Sequence, residues 1–161
     1  MDFFYCCCQA SLQFLEIVPL PCMPGSAPLR GQHCFFLVSP SAITEARGAS
    51  TLKLPTSNYS VVIVTYNREH HLRRVIDSLT QQTATPEQII VVTNGLISPE
   101  LDSELRGKNV SLIYNPVNSL TVGRNLGVRQ VQTPFTLLLD DDIEFGETFA
   151  EKLLTTLESR P

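Results

Sequence analysis

From Asn58 onward the chain repeats one pattern four times: a short run of β-branched and apolar residues, then a stretch with apolar residues at helical spacing. "SVVIVT" (Ser60 to Thr65) and "QIIVVT" (Gln88 to Thr93) read as buried strands, and "VSLIYN" (Val110 to Asn115) and "PFTLLLD" (Pro134 to Asp140) as a third and a fourth strand. After the first of them, Leu72, Val75, Ile76 and Leu79 fall at i, i+3, i+4 and i+7, one apolar stripe of a helix for which Asn67 is a candidate N-cap. In "SPELDSELRG", Ser98 is placed to cap a second helix, Pro99 to open it and Gly107 to end it. "LTVGRNLGVRQV" reads as a third helix with small Gly123 and Gly127, and "ETFAEKLLTTLES" as a fourth with Phe149, Leu153, Leu154 and Leu157 on one side. Strand alternating with helix implies right-handed crossovers and a parallel sheet with helices on both faces, a Rossmann-like α/β layer.

The first 57 residues are different in kind. They hold six of the eleven prolines, all five cysteines and no sustained period. "PLPCMPGSAPLRG" is turn and linker material, because each proline removes a donor and restricts the residue before it. Residues 1–57 are therefore expected to be a poorly ordered extension, or sequence foreign to the domain formed by residues 58–161. "CFFLV" could pack on a neighbour, with nothing to say where. The cysteine pattern, with Cys6, Cys7 and Cys8 contiguous, suits neither a zinc site nor a disulfide framework, and reads as unpaired thiols of a reducing compartment.

A net charge of −4 argues against a general nucleic-acid surface, so an anionic ligand needs local arginines, helix N-termini or a metal. The most apolar stretch, Phe3 to Cys22, is interrupted by Gln9, Gln13, Glu16 and Pro19, and Asp2 stands where a secretory signal carries basic residues. A cytoplasmic location follows as the expectation, with or without membrane association through an acceptor.

In an open parallel sheet, ligands bind beyond the carboxyl ends of the strands. Here the first strand ends in "TYNR", the second in "TNG" and the fourth in "DDD". With a strand order of 3-2-1-4, Tyr66 to Arg68 and Asp140 to Asp142 share one rim. Three adjacent carboxylates at the end of an apolar strand repel one another and lose solvation. A hard divalent ion, Mg2+ or Mn2+, held by Asp140 and Asp142 would remove that repulsion and leave positions for water and phosphate oxygens. A solvated loop or a helix N-cap accounts for the same triplet without a ligand.

"VVIVTYNREHHLRRVIDSL", "QIIVVTNG", "VGRNLGVRQV" and "FTLLLDDDIEF" occur in the order and approximate spacing of the family 2 GT-A glycosyltransferases. The resemblance covers residues 59 to about 160 and corresponds to the nucleotide-sugar-binding half of that fold, so the expected architecture is GT-A type and truncated. It implies that Thr65, Tyr66, Asn67 and Arg68 contact the nucleotide base, with the Tyr66 ring near it. It implies that Asn94, and Arg124 with Asn125, face the donor, and that Asp140 and Asp142 hold the metal at a DxD motif. Asp141, between them, is expected to face differently and to contact the ribose or a backbone amide. Thr93 departs from the family, which usually has an aspartate accepting from the base there; a threonine accepts only through a neutral hydroxyl.

The implied activity is sugar transfer from a nucleotide-diphosphate sugar, UDP- or dTDP-linked, to a hydroxyl of a glycan, lipid-linked or other acceptor. The catalytic base is not identified and is expected beyond Pro161, in a missing C-terminal half or a partner chain. Two alternatives stand beside this reading. One is a non-catalytic nucleotide-binding module or inactive fragment. The other is a haloacid-dehalogenase-type phosphatase, whose strand–DxD motif "LLLDDDIEF" also resembles; that motif expects Thr or Val where Ile143 and Glu144 follow. His70 and His71 are expected to face solvent, and His33 has no role.

Overall fold

The computed structural model describes residues 58–158 and, of the preceding segment, only the backbone strands Glu16–Pro19 (β1) and Phe35–Val38 (β2). The remainder of residues 1–57, with all five cysteines and His33, lies outside the described residues, and so does most of the expectation for that segment.

The four expected strands are Tyr59–Thr65 (β3), Gln88–Thr93 (β4), Val110–Tyr114 (β5) and Phe135–Asp140 (β6). They run parallel in the order β5-β4-β3-β6, the 3-2-1-4 arrangement of the sequence reading. β2 extends the sheet as an antiparallel neighbour of β6, pairing Phe35 with Leu138 and Val38 with Phe135, and β1 pairs antiparallel with β2. The sequence left the packing partner of "CFFLV" open, because a four-residue apolar strand matches any unfilled sheet edge equally well.

β3 lies at the centre of the four parallel strands and is buried along its whole length. Its side chains alternate between two cores. Tyr59, Val61 and Ile63 join Leu137 and Leu139 of β6 on one face, while Val62 and Val64 join Leu138 on the other. The first face is covered by helices Glu69–Thr80 (α1), Pro99–Gly107 (α2) and Phe149–Glu158 (α4). The four apolar residues of α1, Leu72, Val75, Ile76 and Leu79, are each at most 1 % exposed. Full burial of such side chains stabilises by about 1.5–3 kcal/mol apiece, so this stripe is what seats α1 on the sheet. Leu153 and Leu154 of α4 are buried, with Phe149 and Leu157 packed beside them.

The second face carries Leu120–Val128 (α3). Two glycines one turn apart let it approach closely. A Cβ on Gly123 would lie 2.8 Å from Val64 Cγ1, and one on Gly127 would run into Val62 Cγ1. α3 is thus held near the sheet by the absence of side chains, which brings its polar residues to the carboxyl ends of the strands.

Two expected helix signals differ in detail. Asn67 does not cap α1: it adopts a left-handed backbone (φ 53°), and the N-cap is Arg68, which makes no side-chain capping bond. Asn67 tolerates this conformation better than most residues, and its side chain lies against Gly95. Ser98 caps α2 as expected, accepting from Leu101 N at 3.3 Å, with Pro99 in its first turn. Gly107 is the last residue of α2, but the left-handed turn out of it is made by Asn109 (φ 57°).

Candidate functional site

Alternation along β6 continues past its end and separates the carboxylates. Asp140 follows Leu138 onto the α3 face, and Asp141 follows Leu139 onto the α1 face. Each then meets a different arginine. Arg124 of α3 donates from Nη2 to Asp140 Oδ1 at 2.7 Å. Arg68, at the start of α1, donates from Nη1 to Asp141 Oδ1 at 3.3 Å and to Asp142 Oδ2 at 3.0 Å.

Asp141 is the buried member, 6 % exposed, and its Oδ2 also accepts from the Thr65 hydroxyl at 2.7 Å. Its carboxylate is directed at Thr65 and Arg68 rather than at a backbone amide, because Thr65 shares the face of Ile63 and stands directly opposite. The Asp142 side chain is 41 % exposed and that of Asp140 22 %. Two guanidiniums against three carboxylates leave the rim with a surplus of negative charge. The charge of Asp141, and then the hydrogen bond to Asp142, hold the Arg68 guanidinium above its already high range, so it is a permanent cation.

The loop after the triplet is anchored from below. Gln82, 4 % exposed at the end of α1, donates from Nε2 to Gly146 O at 3.0 Å and accepts from Ala150 N at 3.0 Å. Thr83 N donates to Glu147 O at 2.9 Å. With Ile143 buried, these bonds fix the path by which the chain leaves the acidic turn.

The ends of β4 and β5 form a second polar group. The Thr93 hydroxyl is buried and donates to Gly95 O at 2.8 Å while accepting from Gly95 N at 3.2 Å. It closes the Asn94-Gly95 turn, which uses its single hydroxyl proton. Asn94 Oδ1 accepts from Asn115 Nδ2 at 2.7 Å. Asn115, 1 % exposed, was not singled out from the sequence. The signal was available: like "TYN" and "TN", the third strand ends in a polar residue, followed by Pro116.

Tyr66 is 49 % exposed at the tip of β3, and its Cδ2 lies 3.2 Å from where a Cβ on Gly95 would be. Asn67 is exposed beside it, and Asn125 is half-buried on α3 next to Arg124. His70 and His71 face solvent, edge to face with each other. The structure therefore gathers Thr65, Arg68, Asp141 and Asp142 in one cluster, Arg124 with Asp140 beside it, and Thr93 with Asn94 on the far side of Tyr66. Among the described residues no group of three or more His, Cys, Asp or Glu side chains is arranged to hold a metal ion. As a donor set, the carboxylates of Asp140 and Asp142 are of the hard-oxygen kind that a divalent cation takes, and each meets an arginine here.

Residues 60–161 match the model of the family described as glycosyl transferase family 2. The chain belongs to glycosyl transferase family 2. An uncharacterized glycosyltransferase of Haemophilus influenzae is 30 % identical over 103 residues, a match spanning 63 % of this chain and 35 % of the relative. The uncharacterized glycosyltransferase YwdF of Bacillus subtilis is 32 % identical over 109 residues, spanning 62 % of this chain and 38 % of the relative. The family 2 chain thus spans just over a third of the length of these curated relatives.

Among solved structures, S. aureus TarS 1–349 in complex with UDP aligns with a TM-score of 0.55 at 21 % identity, over 63 % of this chain and 32 % of that one. The mannosyltransferase PcManGT from Pyrobaculum calidifontis, in complex with GDP-Man and Mn2+, aligns with a TM-score of 0.52 at 15 % identity, over 75 % of this chain and 39 % of that one. At these identities the likeness speaks for a shared GT-A type fold. Among the described residues no helix is long and apolar enough to cross a membrane.

Proposed function

We propose that residues 58–161 form the nucleotide-sugar-binding part of a glycosyltransferase that moves a sugar from a nucleotide-diphosphate donor to an acceptor hydroxyl. The observation that carries this reading is the single rim on which half-exposed Tyr66, two arginines and three carboxylates meet at the ends of β3 and β6. Tyr66 offers an aromatic face for the base. Arg68 and Arg124 supply planar donor forks for phosphate oxygens, and both are already positioned by their carboxylates. Asp140 and Asp142 would hold Mg2+ or Mn2+, which when bound supplies charge stabilisation for the leaving diphosphate. In this reading residues 58–161 carry the donor site, and β1 and β2 extend the sheet beside β6.

UDP- and dTDP-sugars are the proposed donors, and a glycan or lipid-linked hydroxyl the proposed acceptor. Calorimetric titration with UDP, with and without manganese, tests the donor site directly: metal-dependent binding is expected, and its absence would refute the reading. The alternative of a module that binds without transferring uses the same rim. Turnover assays with the two classes of donor separate them, since only an enzyme consumes the sugar nucleotide.

A further inference from the structure

The orientation of the Asn115 carboxamide is dictated by the backbone. Val117 N donates to Asn115 Oδ1 at 3.2 Å, and an N–H can face only an acceptor, so Nδ2 occupies the other branch. There it donates to Val117 O and to Asn94 Oδ1, each at 2.7 Å, which uses both of its hydrogens. Asn94 must therefore present its oxygen inward. The same Oδ1 lies 3.3 Å from where a Cβ on Gly123 would be, under α3.

Asn94 Nδ2 is consequently turned the other way. It donates to no group among the described residues, and none of their buried side-chain nitrogens or oxygens lacks a partner, so this amide opens to solvent at the rim. Next to it, across Gly95, stands the half-exposed ring of Tyr66. An aromatic face beside a pair of amide donors suits a flat heterocycle that stacks on one and presents an acceptor to the other. Thr93 adds no donor of its own here, because its one hydroxyl proton goes to Gly95 O.

We propose that Asn115 is a positioning residue that sets the hydrogen-bond polarity of this edge. By holding Asn94 with its oxygen inward it makes the rim a donor, and so selects uracil, which offers a carbonyl, over cytosine, which offers an amino group at the same place. The inference rests on the reading of this rim as a nucleotide site.

The test is calorimetric titration of the full chain with UDP and with CDP, manganese present throughout. Wild type should bind UDP more tightly. Asn115→Asp keeps an acceptor for Val117 N but offers Asn94 a carboxylate oxygen, so Asn94 turns over and presents its own oxygen outward. The UDP-to-CDP affinity ratio should then fall by about tenfold or reverse, as expected when a site's hydrogen-bonding partner is mismatched. A merely structural role would weaken both nucleotides alike. Asn94→Asp, which keeps the contact from Asn115 and puts an oxygen directly on the rim, should move the ratio the same way and serves if Asn115→Asp does not fold. A ratio unchanged in the variants, or a wild-type preference for CDP, overturns the proposal and leaves the nucleotide site standing. Binding of neither nucleotide by wild type removes the site and this inference together.

Discussion

The Thr65 hydroxyl donates to Asp141 Oδ2 at 2.7 Å, joining the tip of β3 to the acidic turn after β6. Both groups are buried, and Arg68 closes over them from the start of α1. The middle aspartate is therefore part of the scaffold of the rim.

Asp141→Ala should lower stability by about 1–3 kcal/mol, because it leaves the Thr65 hydroxyl without its acceptor and removes a carboxylate from the Arg68 cation. Asp141→Asn, which still offers Thr65 an oxygen, should cost less. Denaturant unfolding of the two variants measures this, and a midpoint unchanged in Asp141→Ala would show that the contact is not structural.

Arg68 competes with any cation for Asp142. Arg68→Gln should raise the affinity for Mn2+ alone by a factor of about two to five, the scale of a largely exposed ion pair, and lower the affinity for UDP in excess metal. A titration in which metal and nucleotide affinities fall together would contradict this exchange.

Asp142→Ala should abolish manganese-dependent UDP binding while the melting curve stays close to wild type, because the Asp142 side chain is 41 % exposed and no core depends on it. Asp140→Ala should also weaken binding, and additionally release Arg124. Equal UDP binding by wild type and Asp142→Ala with metal present would sink the metal assignment.

Gly127→Ala would ordinarily favour a helix by about 1 kcal/mol. Here the added carbon meets Val62 Cγ1, which is itself buried, so the variant should be destabilised by about 1–3 kcal/mol. Gly123→Ala should act in the same direction and, by shifting α3, weaken UDP binding through Arg124. Raised thermal stability in Gly127→Ala would show that α3 does not pack as closely as described.

What the sequence determined by itself was everything with a local period. The apolar runs marked β3, β4 and β6, because residues buried on both faces of a parallel strand leave an unbroken apolar signature. β5, half-exposed or exposed after Val110, was legible within the alternation of strand and helix. The stripe from Leu72 to Leu79 set the buried face of α1, and Ser98 with Pro99 marked the start of α2 to the residue. Even the separation of Asp140 from Asp141 was implicit in the two-residue alternation of β6.

Tertiary structure alone decided which partner each polar group met. Arg124 reaches Asp140 because two missing side chains bring α3 down onto Val62 and Val64, and Arg68 reaches Asp141 because β3 and β6 pair with Val64 opposite Asp140. Thr65 and Asp141 are 76 positions apart, and Asn94 and Asn115 are 21. Contacts at such separations leave no period in the chain. They follow from strand register and helix seating, which the whole core sets at once. For the same reason Asn67 took a left-handed turn against Gly95 instead of capping α1: the close approach of two strand ends outweighed a local capping preference of about 1 kcal/mol.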